Sequence, residues 1–234
     1  QIEQEPSVAI PALAISSAAP VLGKVDPKKK SVRIDLLKKS PAFGDRVRTI
    51  SSAKQAGGHA IDKINWAKND VHPAMAIALG GRQMRETPES GDIYDHFSVM
   101  YVYEDGSRCF HDCRQMPGCW NDNTEYLIGT NGTCYVNSWG PTQEISGPNE
   151  WFYEGKNPNM YQVEHDELFQ AIRGKRDRID DVDQMMGSTL MAIMGRMSAY
   201  SGQQVTWDEA LNSTERLGPT EYSLGDLPVM PVSI

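Results

Sequence analysis

An alternating segment, Ile93–Tyr103, constrains the fold of this chain more than any other feature of its sequence. Phe97, Val99 and Tyr101 take every second position, so they point to one side of an extended strand while the residues between them point to the other. An Asp-Gly pair follows shortly after, and such a pair is typical of a two-residue hairpin turn. The segment therefore predicts an antiparallel sheet with one buried face.

Four further segments extend the predicted sheet. Met75–Leu79 indicates a strand before the alternating segment, and Arg108–Gln115 indicates the strand that returns after the turn. Tyr126–Ile128 and Thr133–Val136 form a second predicted hairpin around an Asn-Gly pair. Strands that follow one another in this way predict a meander.

Helical patterns flank these strands. We predict helices over Ser52–Lys68, Met160–Arg173, Asp183–Tyr200 and Trp207–Leu211. Thr206 and Glu209 fit a capping box at the start of the last of them. The third helix carries a stripe that we interpret as core packed on the sheet, formed by Met186, Leu190, Ile193, Met197 and Tyr200.

This order of elements predicts an α+β fold, with an open, mainly antiparallel sheet and helices packed on one face. An extended N-terminal arm precedes it. We place the arm and its tether in residues 1–50 and the α+β domain in residues 51–234. The arm contains an apolar segment, Val8–Leu22, which is too short to span a bilayer and is either a signal remnant or an arm that docks in a groove. It favours an exported, periplasmic location, with a cytoplasmic one as the alternative.

Composition and charge exclude some classes of function. The net charge of -8 argues against a nucleic-acid surface, which needs clustered Lys and Arg. Cys109, His111 and Cys113 alternate along one strand, and at about 3.3 Å per residue their row spans roughly 13 Å. Three ligands in such a row cannot all reach one ion, so we predict no metal site and treat the four cysteines as small buried hydrophobes.

One helix carries candidate chemistry. His59, Asp62 and Trp66 share a face of the first predicted helix. Histidine side chains exchange protons near neutral pH, so His59 is a candidate acid-base group, with an ordinary helix histidine as the alternative. Asp62, Arg82 and Arg114 are candidate substrate-binding residues. A guanidinium offers donors in fixed geometry to hydroxyls or a carboxylate; for the arginines, strand-end residues paired with Glu are the alternative.

A series of segments in fixed order carries a family resemblance. They are HAIDKINWA, GGRQMR, GDIYDHFSVMYVYEDGSR, CRQMPGC, EYLIGTNGTC, EHDELFQAIRGK and STLMAIMGRMSAYSGQQVTWDEALNS. From about Gly57 to Ser213 the chain resembles the C-terminal domain of the Gfo/Idh/MocA oxidoreductases, and most closely the exported, sugar-associated bacterial branch. The resemblance implies an NAD or NADP cofactor, a sugar or sugar-derivative substrate, and a homo-oligomer formed through the exposed sheet face.

Family roles pass to this chain only at matching positions. Relatives use an Asp-x-x-x-His motif, whose histidine exchanges a proton while hydride passes between the cofactor and a sugar carbon. His59 takes that histidine position, and Asp62 matches a second, more structural aspartate. Gln55 stands where the family has its first carboxylate.

The family's nucleotide-binding domain has no counterpart in the sequence. No G-x-G-x-x-G turn and no Glu-Lys-Pro segment occurs, and the stretch between Ile34 and Gly57 is too short for a Rossmann domain. Two functions remain open. One is the substrate-binding and oligomerisation domain of an NAD(P)-dependent sugar oxidoreductase. The other is a non-catalytic assembly or carbohydrate-binding module that has lost the cofactor domain.

Overall fold

The computed structural model describes residues 48–53, 58–87, 90–120, 122–137 and 140–217, with only the backbone described for 48–53 and 58. The predicted apolar arm, the position of Gln55 and the C-terminal tail lie outside the described residues.

A single sheet organises the described part of the chain. Its strands are β1 (Arg48–Ala53), β2 (Met75–Gly81), β3 (His96–Val102), β4 (Arg108–Arg114), β5 (Thr124–Gly129), β6 (Gly132–Asn137), β7 (Gln143–Ser146), β8 (Trp151–Phe152) and β9 (Val205–Thr206). They lie in the order β8-β7-β6-β5-β1-β4-β3-β2-β9. Only β1 and β4 pair in parallel. The prediction of an open, mainly antiparallel sheet is confirmed.

The first strand of the sheet corrects the predicted start of the first helix. β1 lies between β4 and β5 and extends to Ala53, so Ser52 is in a strand and the helix begins at Gly58. Pairing on both sides satisfies the backbone groups of this short polar strand, and that outweighs its weak strand pattern. The predicted boundary after residue 50 falls within β1.

Four helices complete the described structure. They are α1 (Gly58–Ala67), α2 (Met160–Ile172), α3 (Val182–Ser201) and α4 (Trp207–Leu211). α1, α3 and α4 contribute buried side chains to one core cluster with β2, β3 and β4, so they cover the same face of the sheet. None of the residues of α2 is buried. No described helix is long and apolar enough to cross a membrane.

The core lies between α1, α3 and the centre of the sheet. Ile61 and Ile64 of α1 and Met191 of α3 meet Val99 and Tyr101 of β3 there. The Tyr101 hydroxyl, fully buried, donates a hydrogen bond of 2.8 Å to the main-chain oxygen of Met191. The side of the alternating segment that carries Val99 and Tyr101 therefore faces the core, and one face of the sheet is buried as predicted.

The predicted core stripe of α3 is correct only in part. Leu190 and Met197 pack against the core, but Met186 is 58% exposed and Ile193 is 37% exposed. The buried face of α3 is formed by Ser188, Met191, Met194, Gly195, Ser198 and Ala199. The helix is therefore rotated about its axis relative to the prediction, and small residues join Met191 and Met194 against the sheet.

Close packing explains this rotation. A Cβ atom built on Gly195 would lie 2.9 Å from the Tyr101 hydroxyl and 3.1 Å from a methyl group of Val99. Ser198 accepts a hydrogen bond of 2.8 Å from the backbone N–H of Ala78 and donates one of 2.6 Å to the main-chain oxygen of Gln203. A larger apolar face would hold α3 too far from β2 and β3 for these contacts.

Local turn and cap signals agree with the structure. The Asp-Gly hairpin joins β3 to β4 with Gly106 at φ 78°, and Gly202 ends α3 in the left-handed conformation. Thr206 and Glu209 form the predicted capping box of α4. Cys109 and Cys134 are buried as predicted, whereas Cys113 and Cys119 are only partly buried. Burial raises the pKa of the Cys109 and Cys134 thiols to about 12.

Candidate functional site

The candidate site begins at the first turn of α1. This helix crosses the covered sheet face, and at its C-terminal end Lys68 Nζ meets Asp105 Oδ2 at 2.6 Å in the turn between β3 and β4. Its N-terminal turn therefore lies near the opposite ends of the strands, where β1 and β4 finish. His59 occupies that first turn and is exposed to solvent.

Asp62, one turn further along α1, holds the helix against α3. Its Oδ1 atom accepts hydrogen bonds of 2.9 Å from both Gln184 Nε2 and Ser188 Oγ. Partial burial raises the pKa of the Asp62 carboxyl, although both hydrogen bonds and the nearby His59 favour its ionised form. These contacts give Asp62 a positioning role for the helix that carries His59.

A buried ion pair lies beside this turn. Lys63 Nζ is 2.5 Å from Glu125 Oε1, and Glu125 is only 3% exposed. A carboxylate buried to this degree needs a cation or several hydrogen-bond donors. Lys63 therefore links the candidate site on α1 to β5.

Glu125 belongs to a row of residues that runs across the covered face, one residue from each strand. The pairing register places His111 of β4, Ser51 of β1, Glu125 of β5, Val136 of β6 and Gln143 of β7 side by side. Residues paired directly across strands share a face of the sheet. We call His111, Glu125 and Gln143 the polar row.

The polar row holds unused hydrogen-bonding capacity. His111 Nδ1 and Gln143 Oε1 are buried and have no hydrogen-bond partner among the described residues. Burial lowers the pKa of the His111 imidazole to about 4, so the ring is neutral at neutral pH. Buried polar atoms of this kind are where ordered water or the hydroxyls of a ligand bind.

Sequence reasoning missed Lys63, Glu125, His111 and Gln143 as site residues. One signal was present: Glu125 and Leu127 have the same parity in β5, so a charged side chain takes an inward position. The other three depend on strand register and on the path of α1 across the sheet, which no local pattern specifies.

The two predicted arginines lie elsewhere. Arg114 pairs with His96, on the sheet face opposite to Val99 and the helices. Its Nη2 atom donates to the main-chain oxygen of Trp120 at 2.8 Å. Arg82 follows β2 and donates to the main-chain oxygen of Gly91. The structure does not bring either arginine to the first turn of α1.

The described residues form neither a metal site nor a dinucleotide site. Among residues 48–53, 58–87, 90–120, 122–137 and 140–217, no group of His, Cys, Asp or Glu is arranged to hold a metal ion. A dinucleotide site needs parallel strands that lead into glycine-rich helix N-termini. β1 and β4 are the only parallel pair in the described sheet, and the sequence has no G-x-G-x-x-G turn. The described residues do not fit a nicotinamide dinucleotide.

Comparison with known proteins relates this arrangement to solved structures. No protein-family model matches the sequence. No curated protein matches it either. The chain is similar to an aldose-aldose oxidoreductase from Caulobacter crescentus complexed with glycerol, at 15% identity and a TM-score of 0.57, over 74% of this chain and 58% of that one.

Two dehydrogenases show the same likeness. One is the UDP-N-acetylglucosamine 3-dehydrogenase GnnA from Acidithiobacillus ferrooxidans, at 12% identity and a TM-score of 0.56, over 72% of this chain and 58% of that one. The other is the WlbA dehydrogenase from Bordetella pertussis in complex with NADH and UDP-GlcNAcA, at 12% identity and a TM-score of 0.56, over 77% and 61%.

The chain thus spans less than two thirds of the length of these solved structures. At such low identity the likeness concerns the fold. These neighbours are oxidoreductases of the Gfo/Idh/MocA type, as the sequence resemblance predicts. The described part of the chain has the fold of the C-terminal domain of the Gfo/Idh/MocA-type oxidoreductases.

Proposed function

We propose that the chain is the substrate side of an NAD(P)-dependent oxidoreductase that acts on a sugar or sugar derivative, with His59 as the acid-base group. The observation that carries the proposal is the exposed position of His59 in the first turn of α1, within a fold shared with sugar oxidoreductases. Asp62 supports it by tying α1 to α3 through Gln184 and Ser188.

The chemistry assigned to this chain is binding and proton transfer. His59 accepts the proton of a sugar hydroxyl as its carbon is oxidised and returns it in the reverse direction. The polar row supplies donors and acceptors for the remaining hydroxyls. NAD or NADP would be held outside the described residues.

We further propose that the chain forms a homo-oligomer through its uncovered sheet face. This face displays exposed apolar side chains, formed by Ile77, Leu79, Tyr126, Ile128 and Phe152. A contiguous apolar patch on a folded surface marks an interaction site. Export to the periplasm, suggested by the apolar arm, stays part of the same proposal.

A non-catalytic carbohydrate-binding or assembly module is the second candidate. The observation that favours it is the replacement of the family's first carboxylate by Gln55. A glutamine cannot relay a proton or raise the basicity of a histidine. Such a module would bind the sugar and leave it unchanged.

Nicotinamide absorbance discriminates between the two candidates. The purified full chain is mixed with NAD or NADP and a panel of sugars, and reduction of the nicotinamide is followed while sugar binding is measured separately by calorimetry. The proposed enzyme reduces the nicotinamide with at least one sugar. Sugar binding with no reduction across the panel overturns the enzyme proposal and supports the binding module.

A further inference from the structure

Three arginines come together where β2, β3 and β4 end. Gly81, His96 and Arg114 lie side by side in the last row of these strands, about 4.8 Å apart from strand to strand. Arg82 follows Gly81 directly, and Arg85 reaches the same corner through the loop after β2. His96 and Arg114 point to the face that the helices leave uncovered.

A buried carboxylate fixes this corner. Asp95 Oδ2 accepts hydrogen bonds from the backbone N–H groups of Gln83, Met84 and Arg85 at 2.7, 2.6 and 3.1 Å. Its Oδ1 atom lies 2.7 Å from His96 Nδ1, and the Asp95 side chain is fully buried. The loop that carries Arg82 and Arg85 and the His96 ring are therefore held in one arrangement before any ligand arrives.

The arginines of this corner are bonded to neutral acceptors. Arg85 Nη2 donates to Gln115 Oε1 at 2.5 Å, Arg114 Nη2 donates to the Trp120 main-chain oxygen, and Arg82 donates to that of Gly91. Each guanidinium has five N–H donors, so most stay available.

No ion pair among the described residues includes Arg82, Arg85 or Arg114, whereas Arg176, Arg178 and Arg196 each pair with a carboxylate. The nearest acidic side chains in sequence are Glu86 and Asp112, and neither forms an ion pair with the cluster. The three guanidinium groups therefore form no ion pair in the described structure, although the buried Asp95 carboxylate lies in the same corner.

An exposed indole adjoins the cluster. Trp120 is 75% exposed, and the hydrogen bond from Arg114 to its main-chain oxygen fixes the loop that carries it. An indole offers a flat apolar surface on which the C–H face of a sugar ring packs. Arginines beside an exposed indole suit a ligand with an anionic group on a sugar.

We propose that Arg82, Arg85, His96, Arg114 and Trp120 form an anion-binding surface for the carboxylate or phosphate group of a sugar derivative. Arginine binds both groups with paired, charge-assisted hydrogen bonds. Three arginines in one corner are too few for the extended footprint of a nucleic acid. The surface lies at the ends of β2, β3 and β4, and it is proposed for binding alone, so it does not depend on the proposed redox chemistry.

Calorimetric titration of the full chain at low ionic strength tests this inference. The probes are glucuronate, glucose 6-phosphate, glucose and inorganic phosphate. We expect both anionic sugars to bind at least about tenfold more tightly than glucose. We expect inorganic phosphate to bind more weakly than glucose 6-phosphate, because it has no ring to pack on Trp120. Equal affinity for glucuronate and glucose would overturn the anion-binding surface.

Matched arginine variants locate the site. Arg85→Gln and Arg114→Gln should each weaken glucose 6-phosphate binding about tenfold. Arg178→Gln should leave it unchanged, because Arg178 is exposed and already pairs with Asp180. Melting curves verify that each variant is folded, and Arg82→Gln replaces any variant that is not. Wild-type affinity in folded Arg85→Gln and Arg114→Gln variants would contradict the assignment.

Discussion

At the residue scale, the candidate site depends on which polar atoms are satisfied. Asp62 accepts both of its hydrogen bonds through a single oxygen, Oδ1, from Gln184 and Ser188. His111 is neutral and buried with an unused ring nitrogen. The first arrangement stabilises the fold, and the second is a buried polar atom with no hydrogen-bond partner among the described residues.

Asp62 gives a test of its positioning role. Asp62→Asn keeps an oxygen that accepts both hydrogen bonds, so its unfolding free energy should equal or exceed that of the wild type at neutral pH. Asp62→Ala should lose about 1–3 kcal/mol, because two donors lose their partner. Urea unfolding measures both. A loss as large in Asp62→Asn as in Asp62→Ala would show that the carboxylate charge itself is required.

The raised pKa of Asp62 predicts a pH dependence. A carboxyl whose folded pKa exceeds its unfolded value contributes most stability below the unfolded pKa and loses it as the pH rises through the folded pKa. Asp62→Asn removes the titrating group. As the pH rises above the ordinary pKa of Asp, the unfolding free energy of the wild type should therefore fall relative to that of Asp62→Asn.

The lowered pKa of His111 predicts that the protein loses stability in acid, which is the opposite of the effect of Asp62. Its folded pKa of about 4 lies below the ordinary value of 6.5, so the folded state resists protonation while the unfolded chain takes up a proton. The unfolding free energy contributed by His111 is complete above its unfolded pKa. It falls as the pH drops toward the folded pKa, by a total on the order of 3 kcal/mol. His111→Gln should lack this loss, and His165→Gln, an exposed control, should keep it. Identical pH profiles for wild type and His111→Gln would contradict the buried, neutral imidazole.

At the element scale, turns and caps could be predicted from sequence and helix faces could not. The Asp-Gly hairpin and the capping box of α4 depend on a few adjacent residues, so their sequence signals suffice. β1 was missed because it is short and polar and becomes a strand only between β4 and β5. The face of α3 was misassigned because Gly195 and Ser198 count as weak apolar positions, yet they allow the closest approach to the sheet.

Two glycines of α3 test that packing argument. In Gly195→Ala the added methyl group meets the Tyr101 hydroxyl at 2.9 Å and Val99 at 3.1 Å, so we expect a loss of about 1–3 kcal/mol. At Gly187 the nearest atom is 3.7 Å away, so Gly187→Ala should be neutral or gain up to about 1 kcal/mol from helix propensity. Chemical denaturation compares the two. Equal effects would contradict the close contact of α3 with β3.

At the scale of the whole molecule, the two faces of the sheet have different roles. The covered face carries α1, the polar row and the core. The uncovered face carries the apolar patch and, in its last row, His96 and Arg114. The sequence resemblance predicted the fold and an interface on the uncovered face, but the division of polar residues between the faces follows from strand register alone.

The uncovered face predicts the oligomeric state. Leu79 is 77% exposed at the β2 end of the apolar patch. Leu79→Glu places a charge there and should shift the chain to monomers, as measured by light scattering after size-exclusion chromatography. Leu168→Glu, at an exposed position of α2, is the matched control and should keep the wild-type mass. An unchanged mass for Leu79→Glu would place the interface elsewhere.

The turnover of His59→Ala tests the central claim of the account most directly. With the full chain, its cofactor and a saturating sugar substrate, the account predicts a rate reduced by about tenfold or more, because proton transfer loses its side chain. His165→Ala, another exposed helix histidine, should retain the wild-type rate. A His59→Ala variant that is folded and turns over at the wild-type rate would contradict the assignment of His59 as the acid-base group.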